Sequence, residues 1–175
     1  IYIKEINRGG FEVPAEGIMI GETMYLWHTT DHSETKTMGR SVLAKASRAE
    51  LNNANFTYLY DFSSDKFINL SVVRVKNSEW PLLPQNTGEG IVIFGSGTYR
   101  SSHVFMAYQP LNGIENKSAL RYFAGVKNGK PVWIKDESKA LTIFNFSSDP
   151  RVGELSVSFN EYLKRWILLY NHDLP

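Results

Sequence analysis

The 175 residues contain no cysteine, which excludes disulfides, thiolate nucleophiles and Cys-based metal sites. Long apolar runs are also missing. None approaches the roughly 20 residues of a membrane span, and no signal-peptide pattern opens the chain. The chain opens on Ile1 rather than Met, which reads as a processed or trimmed product. Charge of one sign is not in excess. The net value of +1 gives no footprint for nucleic acid and no polybasic membrane anchor. Helical periodicity is scarce, and the best stretch, Ser47 to Asn53, would make at most two turns. No Walker A, dinucleotide or nucleophile-elbow pattern occurs, and "GSGTYR" lacks the following helix that a phosphate loop requires. No cofactor is therefore expected.

What is present is β-forming. A 42% hydrophobic content is too high for a disordered chain, and 13% aromatics, including nine Tyr and four Trp, suits sheets and sugar-stacking surfaces. Short runs rich in Val, Ile, Tyr, Phe and Trp are broken by Gly, Asn, Asp and Ser. They predict strands over 16–20, 24–29, 41–47, 56–61, 68–75, 90–95, 103–109, 120–126, 153–159 and 165–171. Asn128-Gly129 predicts a type I′ turn into a further short strand over 131–134.

The order of these strands repeats. "GRSVLAKAS" (Gly39–Ser47) resembles "SSHVFMAYQ" (Ser101–Gln109), and "FTYLYD" (Phe56–Asp61) resembles "LRYFAG" (Leu120–Gly125). "NLSV" (Asn69–Val72) resembles "ELSV" (Glu154–Val157). "MYLWH" (Met24–His28) resembles "IVIFG" (Ile91–Gly95) and "WILLY" (Trp166–Tyr170). The period is roughly 60–85 residues. A repeated four-stranded antiparallel unit is the mark of a β-propeller blade, whereas a β-sandwich explains the strands but not the ordered repeat. The expected fold is therefore all-β, a partial propeller of about two and a half four-stranded blades over 14–61, 67–134 and an incomplete 152–175. Its last strand would carry an open edge, to be paired by missing blades of the same polypeptide or by a second copy. Trp27, Tyr58, Tyr60, Trp133 and Trp166 are expected to fill the space between blades.

In such a blade the turn between the second and third strands lies on the same face of the disc as the start of the innermost strand. "GSGTYRSSHVF" (Gly95–Phe105) then forms a wall of a polar pocket at the channel entrance. Glu16, Asn69 and Glu154 begin innermost strands. Glu154 reads either as a general acid for a glycosidic bond or as a structural ion pair with Arg100. Arg100 offers a fork of donors to a carboxylate or to sugar hydroxyls. Tyr99 reads as a sugar-stacking ring or a packed rim residue, and His103 as a ligand contact or a backbone hydrogen-bonding residue. Ser101, Asp31 and Asp173 complete the expected substrate-binding set. His28, Asp31 and His32 form "HTTDH", but without a helix the two imidazoles do not share a face, so no metal site is expected.

At these residues the chain resembles a known family, the five-bladed β-propellers labelled domain of unknown function 4185. The resemblance rests on "FINLSVVRV" (Phe67–Val75), "IFGSGTYRSSHVFMA" (Ile93–Ala107), "LRYFAG" with "PVW" (Leu120–Gly125, Pro131–Trp133) and "GELSVSFNEYLKRWILLYN" (Gly153–Asn171). It implies a relationship to propeller glycosidases, some assigned as endo-acting hydrolases of D-arabinan. It also implies that Glu154, Arg100 and Asn69 are the polar channel positions. Members carry a Gly-Asp motif with a channel carboxylate in an N-terminal blade, and no such segment is present here. The expected function is thus a carbohydrate-active propeller of glycoside-hydrolase type, inactive as this piece, acting on a polysaccharide such as arabinan in a secreted or cell-envelope setting. The alternative is a non-catalytic carbohydrate-binding or protein-interaction propeller.

Overall fold

The computed structural model describes residues 1–6, 12–31, 38–144 and 151–172. Its strands form three sheets. The first comprises β1 (Tyr2–Ile3), β2 (Glu12–Ile20), β3 (Thr23–Thr30), β4 (Arg40–Ser47) and β5 (Asn55–Ser63), in the spatial order β1-β5-β4-β3-β2. The second comprises β6 (Asn69–Lys76), β7 (Glu89–Ser96), β8 (Val104–Pro110), β9 (Arg121–Lys127) and β10 (Lys130–Ile134), in the order β10-β9-β8-β7-β6. The third is a hairpin of β11 (Val152–Asn160) and β12 (Arg165–His172). Each sheet is an antiparallel meander that opens on an inner strand, and the chain is a partial β-propeller. The two full sheets have five strands rather than the four expected. β1 adds to β5 in parallel at one rim, and β10 folds back on β9 at the other. Asn128 and Gly129 in the β9–β10 turn have φ of 52° and 73°, the left-handed pair that a type I′ turn demands.

Stacking buries both faces of a middle sheet, so its strands read as unbroken apolar runs. In "IVIF", Ile91 and Ile93 join the core against the first sheet, while Val92 and Phe94 join the core against the third. The first of these cores is aromatic. Trp27 meets Phe62 edge-on, Phe62 meets Phe67, and Phe67 lies 5.5 Å from the Tyr122 ring. Trp27 and Trp166 take their expected places between sheets, and Tyr60 stacks on Phe62 in the same core as Trp27, whereas Trp133 packs on Tyr108 and Phe123 of its own sheet and lines an open groove. Nor does Tyr58 take the expected place. It packs on the face of the first sheet turned away from the second, beside Leu26, Val42 and Phe56. Regular alternation would put it on the face of Tyr60, two residues on, but a register shift between Leu43 and Ala44 breaks the alternation and turns it to the other side.

Two other expectations are corrected. The stretch Ser47–Asn53 makes only a 3-10 turn at Glu50–Asn53, closed by Ala54 in the left-handed region. One turn of local bonds cannot hold a helix without an apolar face to bury, and this turn buries none. The first inner strand begins at Glu12, four residues before the expected Glu16, so Glu16 sits within β2 rather than at its head. Pro14 within β2 is accommodated where the β2–β3 register shifts between Pro14 and Glu16.

Hydroxyls join one sheet to the next. Thr29 Oγ1 at the end of β3 donates to the Ile68 carbonyl at 2.6 Å, just ahead of β6. Ser96 Oγ at the end of β7 donates to the Gly153 carbonyl at 2.8 Å, just ahead of Glu154. The two bonds occupy the same place in the repeat that aligns "MYLWHT" with "IVIFGS". Deeper in, the buried Ser71 hydroxyl donates to Glu16 Oε2 at 3.2 Å and accepts from the Val157 N–H at 3.1 Å, linking β2, β6 and β11. Ser96→Ala should leave a buried carbonyl bare and lower stability by about 1–3 kcal/mol. Urea denaturation monitored by tryptophan fluorescence measures it, and an unchanged midpoint would show that the tie is dispensable.

Candidate functional site at the axial mouth

Because β2, β6 and β11 are the inner strands of their sheets, their leading residues meet at one end of the stack. A cavity of about 110 Å³ there is lined by Val13, Pro14 and Ala15 of β2, Thr29, Met38, Asn69 and Leu70 of β6, and Glu154 and Leu155 of β11. Asn69 is buried, with its amide 3.5 Å from the Gly97 carbonyl. Glu154 is exposed, and its Oε2 accepts from the Asn171 amide at 3.3 Å. It is the one carboxylate among the described residues lining this cavity.

The segment Gly97–Ser102 folds over the head of β11. Gly97 N–H donates to Ser102 Oγ at 2.7 Å, and Val152 N–H donates to the Ser102 carbonyl at 3.1 Å. Arg100 takes a φ of 53°, which turns the chain sharply at the tip. Its guanidinium carbon lies 4.9 Å from the centre of the Tyr99 ring. Both side chains cover Gly153, where an added Cβ would come within 3.1 Å of Arg100 Cγ and 3.3 Å of Tyr99 Cε2. Glycine there lets the hairpin close on the strand that carries Glu154. Desolvation first, then the neighbouring Glu154 carboxylate, hold the Tyr99 phenol above its usual range, with Arg100 acting in the opposite sense.

Glu154, Asn69, Tyr99 and Arg100 are thus neighbours at one mouth. The other expected residues have different surroundings. Ser101 is exposed, with its N–H donated to the Thr98 carbonyl at 3.0 Å as part of the turn. His103 is half-buried, does not line the cavity, and its carbonyl accepts from Ser102 Oγ at 2.9 Å. Asp31 holds its own loop: Oδ1 accepts from Met38 N–H and its carbonyl accepts from Arg40 Nε, both at 3.1 Å. Asp173 and His32 lie outside the described residues. Among the described residues no group of three or more His, Cys, Asp or Glu side chains could hold a metal ion. No helix among them is long and apolar enough to cross a membrane.

Sequence reasoning missed Val13, Ala15, Thr29 and Met38 as cavity lining. A signal for the first two was available, since "EVPAEG" continues the β2 pattern through its proline. It also missed a buried polar pair on the opposite face of the first sheet. His28, 3% exposed, has Nε2 3.8 Å from Glu12 Oε2, and neither imidazole nitrogen has a hydrogen-bond partner.

These observations define a class: an all-β propeller segment whose inner strands bring a polar mouth together from separate sheets. The family model described as "Domain of unknown function (DUF4185)" matches residues 3–174, and the chain belongs to that family. None of the curated proteins compared with it matches the chain.

Burial pushes the His28 imidazole down to about 4 from its ordinary 6.5. The folded form therefore binds fewer protons than the unfolded form between those values. Stability should be unaffected by this group above pH 6.5, should fall by roughly 3 kcal/mol as pH drops from 6.5 to about 4, and should level off below that. His28→Gln should flatten that part of the stability–pH curve in chemical denaturation. An equal slope in wild type and variant would rule His28 out as the cause.

Proposed function

We propose that the axial mouth is a saccharide-binding site of glycosidase-like type and that this chain binds without hydrolysing. The observation that carries the reading is that Asn69 and Glu154, from two sheets, line one small cavity, with the Tyr99–Arg100 tip folded over Gly153 beside Glu154. A carboxylate, an amide and a guanidinium offer both acceptors and donors to vicinal hydroxyls. A half-buried tyrosine adds a ring face for the apolar side of a sugar. The Asn171 amide donates to Glu154 without burying it, so the carboxylate stays available to a ligand.

Hydrolysis of a glycosidic bond by the usual route needs two carboxyl groups flanking it. The described mouth supplies one, Glu154. Asp31 is committed to the Met38 N–H, and Glu16 is tied to Ser71 deeper along β2. Binding therefore precedes any catalysis in this reading, and a second carboxylate would have to come from outside the described residues. A polysaccharide such as an arabinan, in a secreted or cell-envelope setting, is the substrate class that the family resemblance favours.

The test is titration of arabinan oligosaccharides into the purified chain by calorimetry or by NMR of the Trp and Tyr signals. Saturable binding is expected, with Glu154→Gln and Tyr99→Ala each weakening it by about tenfold, the loss of one charge-assisted hydrogen bond or one ring contact. Reducing-sugar release should not exceed a blank. Release by the 175-residue chain would overturn the non-hydrolytic reading. Binding that both variants leave intact would place the site elsewhere.

A further inference from the structure

The inner strands have a second end. β6 runs from Asn69 at the mouth to Lys76, roughly 23 Å away at about 3.3 Å per residue. At that far end a cavity of about 280 Å³ opens between β6, the β6–β7 corner and the β11–β12 hairpin. The outer strands of the sheets take no part in its lining. One wall is aromatic. Trp80, Phe159 and Trp166, all half-buried, pack as a triad. Their ring centres lie 5.0 Å apart for Trp80 and Phe159, 5.1 Å for Trp80 and Trp166, and 5.5 Å for Phe159 and Trp166.

The rest of the lining is charged, and each carboxylate has its own cation. Arg74 Nε and Nη2 donate to the two oxygens of Glu89 at 3.1 and 2.7 Å. Lys76 Nζ stands 3.6 Å from Glu79 Oε1, and Lys164 Nζ donates to Glu161 Oε2 at 2.8 Å. This balance decides the class of ligand. An anion would face three carboxylates, and a cation would face Arg74 and Lys76. A neutral polyol gains from both signs, because its hydroxyls donate to carboxylate oxygens and accept from guanidinium and ammonium N–H groups. The rings supply flat apolar faces for the C–H side of a sugar. The two-pronged Arg74–Glu89 bond also orders both side chains before a ligand arrives, which lowers the entropy lost on binding.

The site extends past one ring. Glu89 also lines a neighbouring cavity of about 420 Å³, where Gln85, Thr87 and Asn112 add amides and a hydroxyl. The two cavities therefore lie side by side along the β6–β7 corner. We propose that this end of the inner strands is a second saccharide site, taking a neutral oligosaccharide. One ring rests on the Trp80–Phe159–Trp166 wall, its hydroxyls bond the Arg74–Glu89 pair, and the next ring passes Glu89 towards Asn112. The site shares no lining residue with the mouth, so it stands whether or not the mouth binds sugar.

The probes are three neutral trisaccharides, cellotriose, maltotriose and xylotriose, titrated into the 175-residue chain and followed by tryptophan emission and calorimetry. Trp80 and Trp166 line this cavity and no tryptophan lines the mouth, so emission reports on this end. A saturable change is expected with at least one trisaccharide. Arg74→Met and Glu89→Gln should each weaken it by about tenfold. Exposed ion pairs add little to stability, so both variants should keep the parent circular dichroism spectrum. Glu154→Gln, which weakens the mouth, should leave the emission response in place. The proposal is overturned if none of the three sugars gives a saturable response, or if the response ignores both the Arg74 and Glu89 variants. A response lost in Glu154→Gln alone would assign the sugar to the mouth. Saturation by inorganic phosphate or tetramethylammonium, with no response to the sugars, would make the ligand an ion and refute the neutral class.

Discussion

The architecture depends on a hydroxyl at the end of one strand holding a carbonyl at the head of the inner strand of the next sheet. Thr29 holds Ile68 in this way, and Ser96 holds Gly153. Apolar packing supplies most of the stability, but it is non-directional and tolerates sliding of one sheet over another. A short hydrogen bond to a buried carbonyl does not, because breaking it strands a polar group away from water. The hydroxyl therefore fixes where each inner strand starts. Since side chains alternate along a strand, it also fixes which residue faces the axis. Asn69 and Glu154 each follow directly after a tethered carbonyl, which is why two residues 85 positions apart in the chain stand at corresponding points of the mouth.

Ser71 extends this logic inward. Its hydroxyl donates to Glu16 and accepts from Val157, so one buried atom touches the inner strands of all three sheets. Glu16 is thereby tied into the stack while Glu154 stays exposed at the mouth, although both looked alike as acidic residues near the head of a β-rich segment. Their separation comes from depth. The first is bonded to a neighbouring sheet within the stack, while the second is exposed at the rim with an asparagine for a partner and a tyrosine beside it.

Much of this was legible in the sequence because the repeat is a repeat of packing environments. "MYLWHT" and "IVIFGS" both place apolar residues on two faces and end on a hydroxyl, and the sheets they form stack with those hydroxyls in the same role. The strands and their order follow from that pattern. The outer rims were not legible in the same way. β1 pairs in parallel with β5 over only two residues, Tyr2 and Ile3, too few to carry a periodic signal. Pro14 masked the first half of β2, because tolerance of a proline depends on a local register shift that the sequence does not announce. Asp31 sat in a motif rich in ligating residue types, yet its carboxylate is taken by the N–H of Met38, a residue with φ of 49°. Local turn chemistry of this kind competes for the same side chains that a binding site would use.

The unequal covering of the second sheet bears on how far the mouth can act alone. A mouth assembled from inner strands gains one set of polar residues per sheet, so its chemistry grows with the number of sheets around the axis. With three sets present, the described residues lining the cavity provide a single carboxylate, Glu154, which on the proposed reading suits binding rather than bond cleavage. Among the described residues the third sheet is two strands wide beside a five-stranded neighbour. An inner strand can contribute to the axis before its own sheet is complete, so on the proposed reading recognition at the mouth is separable from closure of the rim.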